Sequence, residues 1–219
     1  MRIGRLHLRL ADRHRLAVLD RFDAAACYAC LGALAASLRG HPWMVVSGLV
    51  EPLMSGRFTR AHGDIDIAVP LPNLGAAVAA VLQSGYVLTT RVLRTHLSSK
   101  FDLEAHLRIE PGLLAWRHRR LRLWRLTADG ELDESVFPPY VDVFPFIVEG
   151  REMHILDSGR RLPLQRPLMI TASLPGGGSV PVEDPCYLEA LRNSGLRAPA
   201  RGGLPTLRRR PASADRSEP

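Results

Sequence analysis

His62-Gly63-Asp64-Ile65-Asp66-Ile67-Ala68-Val69-Pro70 is the stretch from which the rest of the chain is read. It sets two carboxylates one residue apart inside an otherwise apolar run. Side chains alternate between the faces of a strand, so Asp64 and Asp66 point one way while Ile65 and Ile67 point into a core. Two anions about 7 Å apart on one face repel each other and resist desolvation unless a cation lies between them. A hard divalent ion with oxygen ligands suits the pair, Mg²⁺ above all, with Mn²⁺ as the alternative. The pattern points to metal-dependent phosphoryl-transfer chemistry.

Upstream, Trp43-Met44-Val45-Val46 reads as a short strand, and Ser47-Gly48 opens a short helix, Leu49–Ser55. Backbone N–H groups and the helix dipole at such a junction favour a phosphate. Downstream, Asp142 sits between Val141 and Val143 in another apolar strand candidate. If that strand lies beside 64–69, Asp142 completes a three-aspartate cluster. Such a cluster holds one or two Mg²⁺ and brings a hydroxyl in line with phosphorus. Asp142 could also take the proton of that hydroxyl. Its plainer reading is a strand carboxylate paired with an arginine. Arg57 and Arg60 flank the turn before the acidic pair, and a guanidinium fork suits donor phosphates, although loop arginines are common here. His62 is a candidate for proton transfer or an incidental loop histidine.

Farther out, residues 16–39 read as one helix ending at Gly40 and Pro42. A second helix covers 74–82, up to Gly85. Tyr86–Leu93 and Lys100–Ile109 look like paired strands. Lys100, Asp102, Glu104 and His106 share one face of the latter, which reads as a solvated polar face. Residues 117–125 carry five arginines and suit an edge strand or hairpin protected by charge, or else a grip on an anionic acceptor. Gly176-Gly177-Gly178 is a turn, lacking the lysine and helix start of a phosphate loop. A last helix is expected from about Asp184 to Ser194. The order suggests an α/β (α+β) fold with a small mixed sheet flanked by helices. A basic extension is expected over 1–15, a catalytic domain over 16–200, and a disordered basic tail over 201–219.

Composition narrows the classes. The net charge is +7. Residues 1–19 hold five Arg and one Asp, and residues 201–219 hold five Arg, one Asp and one Glu, so the ends account for +4 and +3. The interval between them is neutral, unlike a dedicated nucleic-acid domain with its basic stripe on the folded body. No apolar run approaches the ~20 residues of a membrane span, and no signal peptide is evident. Cys27 and Cys30 have C-x-x-C spacing, but they lie in a small-residue helical run with no second pair, so they read as buried thiols. Together with Cys186 they form no disulfide framework, which suits a reducing, cytoplasmic compartment.

Gly48, then Asp64-Ile65-Asp66, then a later hydrophobic-Asp-hydrophobic strand resembles the nucleotidyltransferase superfamily, with its polymerase-β-like fold. "GDIDIAVP" (63–70), "VDVFPF" (141–146) and "VPVEDPCYL" (180–188) are similar to the LicD/fukutin-type branch. That resemblance implies Asp64, Asp66 and Asp142 as the metal-binding catalytic carboxylates and Ser47-Gly48 as the phosphate-contacting turn. It also implies transfer of a phosphoalcohol group from a CDP-activated donor to a sugar or glycan hydroxyl. Two departures stand out: Arg60-Ala61-His62-Gly63 replaces the branch's Trp-Asp, and Asn193-Ser194-Gly195-Leu196 replaces its Tyr-Gly-Asp. Thr59–Asp66 instead looks like the aminoglycoside nucleotidyltransferases, which implies NMP transfer from an NTP to a small molecule, with protein or tRNA as other acceptors. From a different class comes a nucleotide-binding module that has lost turnover. The expected partners are a nucleotide donor (CDP-alcohol or NTP) and a hydroxyl-bearing small molecule or glycan. A polynucleotide is not the expected partner.

Overall fold

The computed structural model describes residues 5–14, 16–109, 121–156 and 160–188. Among them, eleven strands form one mixed sheet: β1 (Leu6–Asp12), β2 (Met44–Val45), β3 (Ile65–Pro70), β4 (Tyr86–His96), β5 (Phe101–Arg108), β6 (Leu121–Arg125), β7 (Tyr140–Glu149), β8 (Glu152–Ile155), β9 (Arg160–Pro163), β10 (Met169–Ser173) and β11 (Ser179–Glu183). The helices are α1 (Leu16–Leu19), α2 (Ala24–Ser37), α3 (Val50–Ser55) and α4 (Leu74–Leu82). The strand order is β1-β5-β4-β6-β7-β3-β2-β11-β10, with β8 and β9 branching from the far half of β7. The fold is therefore mixed α+β, a sheet flanked by helices as the sequence suggests, and the sheet is larger than expected.

The acidic strand lies at the centre of this order. β3 runs parallel to β7 and antiparallel to β2. Its Ile65, Ile67 and Val69 join Val141 and Val143 of β7, Leu121 and Leu123 of β6, and buried positions of α2 and α4 in the main core. Burying each such side chain contributes roughly 1.5–3 kcal/mol. Cys27 and Cys30 are buried in α2, and burial, then the neighbouring Cys30 sulfur, pushes the Cys27 thiol up to about 12. They behave as small hydrophobes, as the sequence implies.

Several expectations are corrected. The helix over 16–39 is two helices, because the backbone at Asp23 is extended (φ −131°, ψ 113°) and its carboxylate accepts from the Ala25 and Ala26 N–H groups as the N-cap of α2. Part of the expected extension, Leu6–Asp12, is a strand paired along its length with β5. The arginine-rich strand is not an edge: β6 lies between β4 and β7. The face carrying Asp102, Glu104 and His106 is buried rather than solvated. The last helix is described only over 185–188, so its remainder, residues 117–120 and the tail over 201–219 lie outside the described residues. No helix among the described residues is long and apolar enough to cross a membrane.

Candidate active site

Parallel pairing of β3 with β7 sets Asp66 beside Asp142 in register. Adjacent strands lie about 4.8 Å apart, and register neighbours share a face, so the two carboxylates meet on the side away from the main core. Asp64 immediately precedes β3. One carboxylate oxygen from each of Asp64, Asp66 and Asp142 lies within 4.8 Å of the other two. The three aspartates separated in sequence thus converge.

Asp142 also has the arginine partner of its plainer reading. Arg122 stands opposite it across β6 and β7, and its Nε and Nη2 donate to Oδ1 and Oδ2 at 2.6 and 3.3 Å. Arg122 is buried and stacks over Tyr140, 4.1 Å from the ring centroid. Burial works against its charge, but Asp142 and Tyr140 overcome this and hold the guanidinium firmly protonated. Opposite oxygens around Mg²⁺ are about 4.2 Å apart, so the spacing and the all-oxygen donor set fit Mg²⁺ or Mn²⁺.

The Ser47-Gly48 turn faces the same space. Ser47 adopts φ +73°, uncommon for a residue with a side chain, and starts a 3₁₀ turn, Ser47–Leu49, that leads into α3. A Cβ on Gly48 would come within 2.6 Å of Arg60 Nη2 and 3.1 Å of His62 Cε1. Glycine here is what lets both side chains lie across the turn. Ser47, Gly48, Arg60, His62, Asp64 and Asp66 line a cleft of about 300 Å³. Arg57 is exposed and is not among the residues lining it.

His62 is buried, with Phe22 and Phe58 packed against its ring. Burial, then the Arg60 charge, pushes its pKa down to about 4. Its Nε2 has no hydrogen-bond partner among the described residues. A neutral ring this weakly basic is poorly matched to proton transfer near neutral pH. Its visible role is to wall the cleft.

Beside the cleft lies a second polar region, buried and not solvated. Glu104 is met by Arg91 Nη1 at 2.9 Å, Arg9 Nη1 at 3.1 Å, His106 Nε2 at 3.1 Å and Arg122 Nη1 at 3.6 Å. Burial alone would raise the Glu104 carboxyl, yet His106, Arg122 and Arg9 overcome it and hold that carboxyl well below the usual range. Asp102, fully buried, accepts from Arg94 Nε at 2.7 Å and lies 2.5 Å from His96 Nδ1. Arg122 joins the two regions by touching both Glu104 and Asp142. The period-two pattern of Leu121, Leu123 and Arg122 marked the strand. Nothing in it marked the polar face as the enclosed one.

No family model matches the sequence, and no curated protein matches it. Among solved structures, the chain is similar to the lincomycin-bound lincosamide antibiotic adenylyltransferase LnuA. The TM-score is 0.46 and the identity 12%, over 77% of this chain and 85% of that one. A likeness at this level carries no weight for activity.

Proposed function

We propose that the chain is a metal-dependent nucleotidyltransferase of polymerase-β-like fold, moving a nucleotidyl group from an NTP to the hydroxyl of a small acceptor. The observation that carries this is the convergence of Asp64, Asp66 and Asp142 within 4.8 Å. Asp64, Asp66 and Asp142 would hold Mg²⁺ or Mn²⁺, which when bound neutralises charge on the phosphate oxygens. Arg60 and the N–H groups of the Ser47-Gly48 turn orient the donor phosphates in the cleft. Arg122 fixes the Asp142 carboxylate in place, and an aspartate oxygen of the cluster takes the acceptor hydroxyl proton. Buried His62 and its aromatic neighbours keep water from one wall.

Transfer of a phosphoalcohol from a CDP-activated donor, the LicD/fukutin-type reading, ranks second. Arg60 and His62, which replace that branch's usual residues ahead of the acidic pair, are the side chains that cover Gly48 and wall the cleft. This favours nucleotidyl transfer. The purified chain should be offered each of the four NTPs and CDP-alcohols with Mg²⁺, Mn²⁺ or chelator. Metal-dependent pyrophosphate release supports the reading, and release of CMP from a CDP-alcohol replaces it with the second. Nucleotide binding that ignores both metal and Asp64→Asn/Asp66→Asn indicates a binding module without turnover.

A further inference from the structure

A second cavity, of about 220 Å³, opens beside the carboxylate cleft, and Gly63 lines both. Six arginines line it, two of them already locked. Arg9 is held by Glu134 through Nε and Nη2, both at 2.9 Å, and Arg122 by Asp142. Of the other four, Arg13 and Arg21 make no carboxylate contact closer than 3.6 Å among the described residues. Arg21 donates to the main-chain oxygens of Ala17 and Glu134, which leaves its charge uncancelled. Arg13 reaches Asp102 only at 3.6 Å, and Arg91 and Arg94 share Glu104 and Asp102. With Arg122 and Asp142 committed to each other, five guanidinium groups face Asp12, Asp102, Glu104 and Glu134, a surplus of one. A phosphate monoester carries about −1.5 to −2 at neutral pH.

We propose that this cavity is the acceptor subsite and that the acceptor is a small alcohol bearing a phosphate group. The proposal rests on the nucleotidyl-transfer reading of the cleft. Attack on phosphorus requires nucleophile and leaving group on opposite sides. The two cavities share Gly63, next to Asp64, and the second also reaches Arg122, the partner of Asp142, so donor phosphates would lie along Ser47, Gly48 and Arg60 and the acceptor would come from the arginine side. In the step, the acceptor oxygen forms a bond to the donor α-phosphorus and the bond from that phosphorus to the bridging oxygen breaks. Pyrophosphate leaves with the electron pair, and the hydroxyl proton passes through an aspartate carboxylate to water. Arginine forks bind phosphate bidentately and repel amines. The cavity therefore selects against polycationic acceptors.

The test is calorimetric binding to the full chain, with ribose 5-phosphate, ribose and kanamycin as probes and MgATP titrated separately. Ribose 5-phosphate should bind at least about tenfold more tightly than ribose or kanamycin. Arg91→Ala/Arg94→Ala and Arg13→Ala/Arg21→Ala should each weaken it at least about tenfold while MgATP affinity stays within about twofold. The second pair touches more exposed side chains, and it decides alone if the first does not fold by circular dichroism. Equal binding of ribose and its phosphate overturns the proposal, as does tighter binding of kanamycin. So does loss of MgATP rather than sugar phosphate in the arginine variants, which would make the cavity part of the donor site. Failure of the underlying reading shows separately, as wild type that binds ribose 5-phosphate but no MgATP, and it removes the acceptor role.

Discussion

Around β3 and β7, the sheet hides its aliphatic face beneath α2 and α4, with Ile65, Ile67, Val141 and Val143 all essentially inaccessible. Along β1 and the far half of β4, the corresponding aliphatic face lies open. Leu6, Leu8 and Leu10 are 54%, 64% and 60% exposed, and the opposite, charged face is the enclosed one. Aliphatic packing holds the first region, while the second depends on ion pairs among Arg9, Arg91, Arg94, Asp102 and Glu104. The aspartate cluster sits at the seam, and Arg122 ties the two together. A buried charged network contributes little net stability when complete and costs much when broken. That asymmetry suits a binding surface, since its groups are held in place yet remain polar.

The largest effect is expected at the seam. Asp64→Asn/Asp66→Asn should lower metal-dependent turnover by about a thousandfold or more. The fold should be kept, because both side chains lie outside the main core. Pyrophosphate release and a melting curve on the same preparation check both. A variant that keeps wild-type turnover would leave the aspartates without a catalytic role.

Next comes the tie between the regions. Arg122→Met removes the guanidinium that donates to buried Asp142 and one of those around Glu104, and should cost about 3–5 kcal/mol in denaturant unfolding. The counterpart on the aliphatic side, Ile67→Ala, should cost about 2–4 kcal/mol by opening a cavity in the main core. Comparable losses would show that the charged face serves the second region as a core. If Arg122→Met lies within about 0.5 kcal/mol of wild type, that face behaves as ordinary surface and the contrast fails.

Acid should separate the regions further. The unfolded Glu104 carboxyl takes its proton near the ordinary value of 4.5, while the native one resists to well below it. Between those points the unfolded chain binds more protons, so stability present at neutral pH is lost as pH falls below about 4.5. Stability measured from pH 6 to 3 should fall less steeply in Glu104→Gln than in wild type. Ile67→Ala should keep the wild-type slope from a lower starting point. Equal slopes in all three would remove Glu104 as the source of acid lability.

How far the sequence revealed these regions follows from what periodicity encodes. Alternation in 64–69 and 140–144 identified strands, and Asp64 and Asp66 fell on one face because residues two apart in a strand share a side, whereas Asp142 joins them through the register of β3 with β7. The same alternation in 101–108 identified β5 correctly but assigned its enclosed side wrongly. Period two states that two faces differ; it does not state which is covered. Here the cover depends on β1 and on the stretch around Glu134, distant in sequence, whose carboxylate holds Arg9. Arg122 was likewise visible as a polar position in a strand, but its partner lies 20 residues away in a neighbour that only the strand order supplies. Asp23 could have been read locally: an aspartate before Ala24-Ala25-Ala26 is a ready N-cap, and weighing it would have split the long helix.

The smallest expected effect tests the open face itself. Leu8 projects from β1, which ends the strand order among the described residues, between exposed Leu6 and Leu10, and is itself 64% exposed, so it gains little from burial. Leu8→Thr keeps a residue favoured in strands and removes exposed apolar area, and it should change unfolding free energy by less than about 0.5 kcal/mol. Arg9→Met, one residue along the same strand, removes a partner from both Glu104 and Glu134 and should cost several times more. Adjacent positions would thus differ in the sense opposite to the usual hydrophobic ranking. A large loss at Leu8 with little at Arg9 would mean that the aliphatic face is the covered one in solution, and the inversion between the two regions would have to be given up.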